Sequence, residues 1–381
     1  MVRVSWIFWS SFCFLVYVYI GFPLLLWLRT LRPKLDGASR SDHRLSVTLI
    51  IVAHNEAEVI ESKLDNVASL DYPRQLLQVV VASDGSDDST NEIVRAYSEL
   101  PVALLEVERG GKNNALNQAV AQATGEVLFL TDADTMLAAN SLSQLVKHYE
   151  SDEVGGVTGD FRYTGAGEDP SGELSYWALD RVWKKLQTEG GNVTSATGQL
   201  YTIRRDLFEV VPDGVTDDFF LSTGVVAQGS TLVFEPEAVG FGPPAPSLEA
   251  EYRRKVRVAN RGLRAVGLRR RLLNPFRYGF YSLQLVTHKV LRRVAGIPLV
   301  LLLVSSALLW PDGALYRLTA VGQLAFHGLG LTGWLLHRTS IGRSKPLRLP
   351  LFFDMANLAG MVAFAQVVLG KRHDTWAPDR A

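Results

Sequence analysis

The sequence predicts an α/β fold: a doubly wound, mostly parallel sheet, with transmembrane helices at both ends of the chain. Three observations carry that expectation. Buried-type strands alternate with helices from residue 47 to 131. Charge is segregated along the 381 residues: the net charge is zero, yet 41–251 carries −21, against +4 over 1–40 and +17 over 252–381. Long uncharged apolar stretches lie only in the two basic ends. A mean hydropathy of +0.09 with 47% hydrophobic residues excludes a disordered or collagen-like chain. The single cysteine, Cys13, excludes a disulfide framework and a Cys-based zinc site.

The first element is an apolar span. Residues 4–28 hold no charge, and a bilayer core needs about 20 residues of helix. Trp6, Trp9 and Trp27 sit near its ends, as interface anchors do. Trp27-Leu28-Arg29 follows instead of a small-x-small exit, so it reads as an uncleaved anchor. Three further spans are expected at Val294–Pro311, Leu318–Leu336 and Leu349–Gly370.

Arg29, Arg32, Lys34 and Arg40 follow the first span. From Tyr252 to Arg293 there are 13 Lys/Arg and no acid. Basic loops stay in the cytosol. The middle of the chain and the loop bearing Arg338, Arg343, Lys345 and Arg348 are therefore expected there, in a multi-pass protein of the cell (inner) membrane. Four spans would leave the tail at Lys371-Arg372-His373 outside, against the same rule. The resulting units are 1–40 (anchor and linker), 41–251 (cytosolic domain), 252–293 (basic segment) and 294–381 (three spans and tail).

Within the middle unit, Val47–Ala53 is a continuous β-branched run, as in a strand buried on both faces. Leu77–Ala82, Val102–Val107 and Glu126–Thr131 repeat the pattern. Helices are expected over Glu56–Ser69, Asp88–Leu100 and Lys112–Ala123, the last stopped by Gly125. Four βα units in about 85 residues imply a parallel sheet, whose ligands bind beyond the carboxyl ends of the strands. Each strand ends in polar residues: His54-Asn55-Glu56, then Ser83-Asp84-Gly85-Ser86-Asp87-Asp88, then Arg109-Gly110-Gly111-Lys112, then Asp132-Ala133-Asp134. Helices are also expected at Leu137–His148, Ser175–Leu186 and Phe219–Ala227. The faces of Trp177 and Trp183 cannot be assigned.

No G-x-G-x-x-G follows the first strand and there is no G-K-[ST] loop, which removes the usual dinucleotide and P-loop readings. Asp132 and Asp134 offer hard oxygen ligands suited to Mg²⁺ or Mn²⁺, whose shell substrate phosphates would complete.

The strings VTLIIVAHNE, ASDGSDDST, GGKNNALNQAV and GEVLFLTDADT, in that order, resemble the family 2 glycosyltransferases of GT-A fold. The nearer likeness is to membrane-bound cellulose, hyaluronan and poly-N-acetylglucosamine synthases, over roughly residues 45–265. The resemblance implies that Asp84 binds the uracil base of a UDP-sugar beside Ala53 and Glu56. It implies that Lys112 holds the diphosphate, that Asp132 lies near ribose and metal, and that Asp134 ligates the metal. Thr216-Asp217-Asp218 matches the family's T-E-D, with Asp218 as general base. The family's Q-x-x-R-W appears as Arg254-Lys255-Val256-Arg257-Val258. Arg257 is kept, Arg254 replaces the glutamine, and Val258 lacks the aromatic face that stacks an acceptor sugar. Thr194–Arg205 also matches, its small residues suiting an acceptor close to backbone.

The expectation is a metal-dependent inverting glycosyltransferase that moves a sugar from a nucleotide diphosphate to a saccharide acceptor in polysaccharide synthesis. Transfer of one or a few sugars to a lipid acceptor is the alternative within the class. A polymer would require a small membrane partner or a second copy to complete a channel. A non-catalytic sugar-nucleotide sensor would have lost acids, yet Asp84, Asp132, Asp134 and Asp218 are all present. A transporter built on His327 and Asp354 fits poorly with a large cytosolic unit. Nucleic acid is not expected, because the basic run abuts the membrane segments. That run is ascribed mainly to the positive-inside rule and anionic lipid, with Asn274–Val290 as an interfacial helix.

Overall fold

A computed structural model describes residues 2–31, 45–164, 173–342 and 344–371, without the side chains of 173–179. The expectations at Arg32, Lys34, Arg40, Arg343, Arg372 and His373, and the side chain of Trp177, lie outside the described residues.

The expected strands form as β1 (Val47–Ala53), β2 (Leu77–Asp84), β3 (Val102–Val107) and β4 (Val127–Asp132). They pair in parallel in the order β3-β2-β1-β4. The register aligns Ala53 with Ser83 and Val52 with Asp132, and Asp84 with Val107, so the four polar termini share one edge. Every residue of β1 is buried. Leu49 and Ile51 join one apolar layer while Ile50 and Val52 join the other, which is why the run does not alternate in polarity.

The sheet continues beyond the expectation to eight strands, in the order β3-β2-β1-β4-β7-β6-β8-β5. β5 is Met136–Leu137, β6 Val154–Tyr163, β7 Leu200–Arg204 and β8 Thr231–Gly242. β7 runs antiparallel between β4 and β6, β8 is parallel to β6, and β5 is antiparallel to β8. The second half of the sheet is thus mixed. In β6 the run Val-Gly-Gly-Val-Thr-Gly conceals a strand, because the glycines serve contact rather than turning. A Cβ at Gly159 would lie 2.6 Å from the Ala238 carbonyl.

The helices are shorter than expected. Ile60–Ala68 replaces Glu56–Ser69, Thr90–Ala96 replaces Asp88–Leu100, and Ser141–Val146 replaces Leu137–His148. The residues lost are those whose side chains tie the loops. Asn55 takes a left-handed φ of 55°, tolerated by Asn, and its amide nitrogen donates to Asp87 Oδ1 at 2.6 Å. Asp88 caps the turn at Thr90 and accepts from Ala57 N at 3.1 Å.

Among the described residues, two helices are long and apolar enough to cross a membrane, Val2–Thr30 and Lys345–Val368, or three if the pair Phe280–Val294 and Gly296–Leu308 counts as one bent span. The span expected at Val294–Pro311 is only 13 helical residues, bent 54° from its predecessor. Pro298, lacking an N–H in the first turn, accounts for the break. The helix Ala314–Leu335 falls short of the apolar composition because of Arg317, Gln323 and His327. The expected interfacial helix over Asn274–Val290 is broken by Gly279 (φ 54°). Its second part buries Tyr281 and Leu285 in the apolar layer that holds Ile50 and Val52, while Phe276 is fully exposed.

Lys345–Val368 lies along the basic helix Leu248–Leu268. Lys255 Nζ sits 4.3 Å from the Phe352 ring centroid, and Asn260 Nδ2 donates to Gln366 Oε1 at 3.3 Å and to the Lys371 carbonyl at 3.4 Å. Residue 371 therefore stands beside the helix Leu248–Leu268.

Gly125 was expected as a helix stop needing a left-handed backbone, but its φ is not positive. It permits close approach instead: a Cβ would lie 2.5 Å from Thr48 N and Val47 C, at the start of the central strand. Gly125→Ala must push β1 and β4 apart at their entry, and we expect a loss of about 1–3 kcal/mol. Thermal unfolding in detergent would show a lowered midpoint. An unchanged midpoint would remove this constraint.

Candidate active site

The carboxyl edge of the sheet opens into a cavity of about 1010 Å³. Its lining includes Glu56, Lys112, Asp132, Asp134, Asp218, Arg254 and Arg257. Ala53 and Asp84, grouped with them by resemblance, are fully buried and not on the lining. Asp84 ends β2, and its Oδ1 accepts from Gly110 N at 2.8 Å and Gly111 N at 2.9 Å. Its Oδ2 pairs with the half-exposed Arg109 guanidinium. The carboxylate thus fixes the glycine turn that launches the helix Lys112–Ala121. Gly111, at φ 91°, delivers Lys112 as its first residue.

Lys112 is the electrostatic centre. Its Nζ lies 2.8 Å from Asp132 Oδ1 on β4 and 3.4 Å from Asp217 Oδ1 at the start of the helix Asp217–Ala227. Burial alone would lower its pKa, but the charges of Asp132 and Asp217 outweigh it and the net shift is upward, so Lys112 stays protonated. Asp217, to which the sequence assigned no role, also accepts from Tyr201 Oη at 3.0 Å. Burial, then the Asp217 charge, raises the Tyr201 phenol well above its ordinary value and keeps it a donor. With Asp217 committed to these partners, Asp218 is the acid of the pair left to face substrate. Burial, then the neighbouring Asp217 charge, raises its pKa above the ordinary 3.8. A Cβ on Gly198 would lie 3.5 Å from Asp218, so the Thr194–Gly198 segment passes close to that carboxylate.

Asp132 and Asp134 bring two hard oxygen donors to the cavity, and no group of three His, Cys, Asp or Glu able to hold a metal exists among the described residues. This donor set fits a Mg²⁺ or Mn²⁺ ion that completes its shell with phosphate and water oxygens. It does not fit a closed structural site.

Arg254 is held by Glu251, its Nε 2.8 Å from Oε2, and donates to Tyr163 Oη at 2.8 Å. Lys255 pairs with the same buried Glu251 at 2.8 Å. Val258 is 47% exposed on the cavity wall.

Lys63 was missed. It is fully buried under the Asp132–Asp134 turn, where its Nζ donates to Thr131 Oγ1 at 3.0 Å and to the Thr135 carbonyl. The signal was a lysine on the apolar stripe Ile60, Leu64, Val67 of its helix. From the same helix, Asn66 exchanges hydrogen bonds with Leu137, at 2.8 and 2.7 Å. The turn is thereby braced from behind.

Comparison with known proteins finds a likeness over part of the chain. Residues 48–211 match the model of glycosyl transferase family 2. The chain is similar to the poly-beta-1,6-N-acetyl-D-glucosamine synthase of Staphylococcus aureus (strain COL), 26% identical over 260 residues, covering 65% of this chain and 62% of that one. The Staphylococcus epidermidis synthase is 24% identical over 235 residues, 58% of this chain and 56% of that one. The match thus spans less than two thirds of these relatives' length. Among solved structures it resembles the mannosyltransferase PcManGT from Pyrobaculum calidifontis in complex with GDP-Man and Mn²⁺, with a TM-score of 0.72 and 25% identity, covering 96% of this chain and all of that one.

Burial lowers the Lys63 pKa from 10.5 to about 7, with Asp132 and Asp134 opposing part of the shift. Between those values the unfolded chain holds the extra proton, so stability should rise with pH from about 7 to 10.5. The limiting slope from this group is about 1.4 kcal/mol per pH unit. Unfolding free energies of the wild type and Lys63→Met across that range should diverge accordingly. Parallel pH profiles would contradict it.

Proposed function

This chain carries a family 2 glycosyltransferase domain of GT-A-like fold, and from that premise we propose an inverting, metal-dependent glycosyltransferase acting on a nucleoside-diphosphate sugar at the membrane. The observation that carries the reading is the convergence of Lys112, Asp132, Asp134, Asp218 and Arg257 on one cavity at the carboxyl edge. Asp132 and Asp134 would hold the metal. Bound there, Mg²⁺ or Mn²⁺ supplies Lewis-acid neutralisation of charge on the leaving diphosphate.

The chain's own groups do the rest. Lys112 and Arg257 offer donors to phosphate oxygens, Arg through its planar fork. Arg254, held by Glu251, lines the same cavity. Asp84 anchors the loop on which we place the nucleotide base, with Ala53 and Glu56 beside it. Asp218 takes the proton of an acceptor hydroxyl as that oxygen bonds to the anomeric carbon. The bond from that carbon to the diphosphate oxygen breaks with its electron pair, and the nucleoside diphosphate leaves. One displacement inverts the anomeric centre.

The relatives' names support polysaccharide synthesis as the product class. Val258 favours a second reading, transfer of one or a few sugars to a lipid acceptor, because a valine cannot stack a sugar ring. The relative that binds GDP-Man and the expectation of a uridine base make competition between UDP and GDP the direct test of donor base.

Two variants separate the roles. Asp218→Asn keeps the shape but cannot accept a proton. It should leave nucleotide binding intact and lower turnover by ~10²-fold or more. Asp134→Ala, or chelator on the wild type, should abolish metal-dependent tightening of nucleotide binding. In the wild type, activity should fall as pH drops through the raised pKa of Asp218, at higher pH than an ordinary carboxylate would give. Near-normal turnover in Asp218→Asn, or full activity in excess EDTA, would overturn the assignments.

We place the catalytic domain in the cytosol, with Val2–Thr30, the bent pair and Ala314–Leu335 crossing the membrane and Lys345–Val368 resting on the domain. Reporters at Ser344 and after Lys371 should then both read as cytosolic. An external reading at 371 would contradict the contact with Asn260.

A further inference from the structure

One wall of the cavity is made of chain without regular structure. Residues 194–199 line it without a break. Residues 192–198 form neither helix nor strand, yet 193–197 are all buried. A buried irregular segment must find partners for its backbone polar groups outside any ladder. Here side chains from several elements supply them. Thr194 N donates to Gln187 Oε1 at 3.0 Å, Ala196 N to Ser222 Oγ at 3.0 Å, and Thr197 N to Thr158 Oγ1 at 2.9 Å. The Thr194 carbonyl accepts from Tyr281 Oη at 2.9 Å. Gln284 Nε2 donates to the Asn192 carbonyl at 2.7 Å and to Thr194 Oγ1 at 3.0 Å.

The far end of this wall meets the residue read as the base. Ser222 Oγ, which accepts from Ala196 N, also donates to the Asp218 carbonyl at 2.5 Å, so one hydroxyl joins wall and base. Gly198 passes the Asp218 side chain at the close distance already noted. The near end is tied to the apolar helices. Tyr281 and Gln284 belong to the helix Phe280–Leu285, which opens the bent pair. Arg29, near the end of the first apolar helix, donates to the Gly190 carbonyl at 2.6 Å and lies 4.6 Å from the Phe280 ring centroid. Packing alone does not call for the polar atoms of Tyr281 and Gln284. A phenylalanine would fill the same place as Tyr281 in the apolar layer, and what the hydroxyl adds is the bond to Thr194. Gln284 is 2% exposed, and its amide donates twice to the wall. Neither side chain is on the cavity lining.

We propose that Tyr281 and Gln284 are positioning residues for sugar transfer. Acting through the backbone of 192–194, they set the wall at the separation from Asp218 at which an acceptor hydroxyl meets that carboxylate. The proposal rests on the reading of Asp218 as the base. It separates two reactions of one donor. In both, the attacking oxygen bonds to the anomeric carbon and gives its proton to Asp218, and the diphosphate leaves with the bond pair. Water reaches the base without a wall, whereas a saccharide or lipid acceptor has to be held. Loosening the wall penalises transfer to the acceptor and spares transfer to water.

The test uses the purified full chain in nanodiscs of its native membrane lipids, with Mn²⁺ and radiolabelled UDP- and GDP-sugars. Free labelled sugar measures transfer to water, and label carried on lipid or saccharide measures transfer to acceptor. Hydrogen exchange over residues 192–199 is read on the same samples without substrate. Tyr281→Phe and Gln284→Leu should each lower the ratio of transferred to free sugar by ~10-fold or more, within the range that misplacing a reacting group by about 1 Å costs. Exchange over 192–199 should quicken in both. Unchanged binding of nucleoside diphosphate with Mn²⁺ shows that they fold. Should Gln284→Leu not fold, Tyr281→Phe, which removes a single oxygen, decides. Equal loss of both reactions overturns the proposal, because a merely structural role predicts it. An unchanged ratio or unchanged exchange overturns it as well. A wild type that binds nucleotide yet turns over no donor strikes the glycosyltransferase reading instead. The exchange measurement then still decides whether Tyr281 and Gln284 hold the wall.

Discussion

Four carboxylates, Asp132, Asp134, Asp217 and Asp218, line one recess, and Lys112 makes that tolerable. Its ammonium bridges Asp132 on the parallel half of the sheet and Asp217 on the helix after the antiparallel half, at 2.8 and 3.4 Å. The rest of the catalytic domain can be traced from this contact. The glycine turn that presents Lys112 is held by buried Asp84, the Asp132–Asp134 turn is braced from behind by Lys63, and Asp217 is kept in place by Tyr201. Adjacent acids that differ in partners acquire different chemistry. Asp217 is paired with Lys112 and Tyr201, and Asp218 keeps a raised pKa.

The parallel half of the fold was legible because its strands are buried on both faces and rich in β-branched residues, and because polar residues mark each carboxyl end. The antiparallel half was not. β6 opens with three glycines in six residues where neighbouring segments approach closely, and glycine in a sequence reads as a turn. Gly125 misled in the same direction, since close contact with β1 and a left-handed turn look alike in one letter. Of the site, the residues on motif loops were legible, and the cavity unites them. Asp217 lay inside a quoted motif, but its partners, Tyr201 and Lys112, come from distant segments. Lys63 was given no role, although it lies on the apolar stripe of its helix, and only packing shows it as a brace.

The apolar helices also meet the candidate site. Lys345–Val368 is apolar enough to cross a bilayer, and part of its surface packs on the basic helix Leu248–Leu268 and on the cavity, through Phe352, Phe353 and Asn357. Ala314–Leu335 is less apolar, but its His327 is satisfied by Asp354 at 2.7 Å on the neighbouring helix. Polar groups on apolar helices are tolerated when paired with one another. The candidate-site recess is continuous with these helices, through Tyr19, Phe353 and Asn357.

The central claim is that this recess transfers a sugar from a nucleoside diphosphate, with the Asp132–Asp134 turn and Asp218 acting together. The most direct measurement incubates the purified full chain, in its native membrane lipids with Mn²⁺, with a panel of radiolabelled UDP- and GDP-sugars. Released nucleoside diphosphate and labelled product are then followed together. The account predicts that one donor yields both in equal amounts, and that Asp132→Ala/Asp134→Ala and Asp218→Asn each abolish the pair. Turnover undiminished in both variants would contradict it, as would tight nucleotide binding with no transfer from any donor.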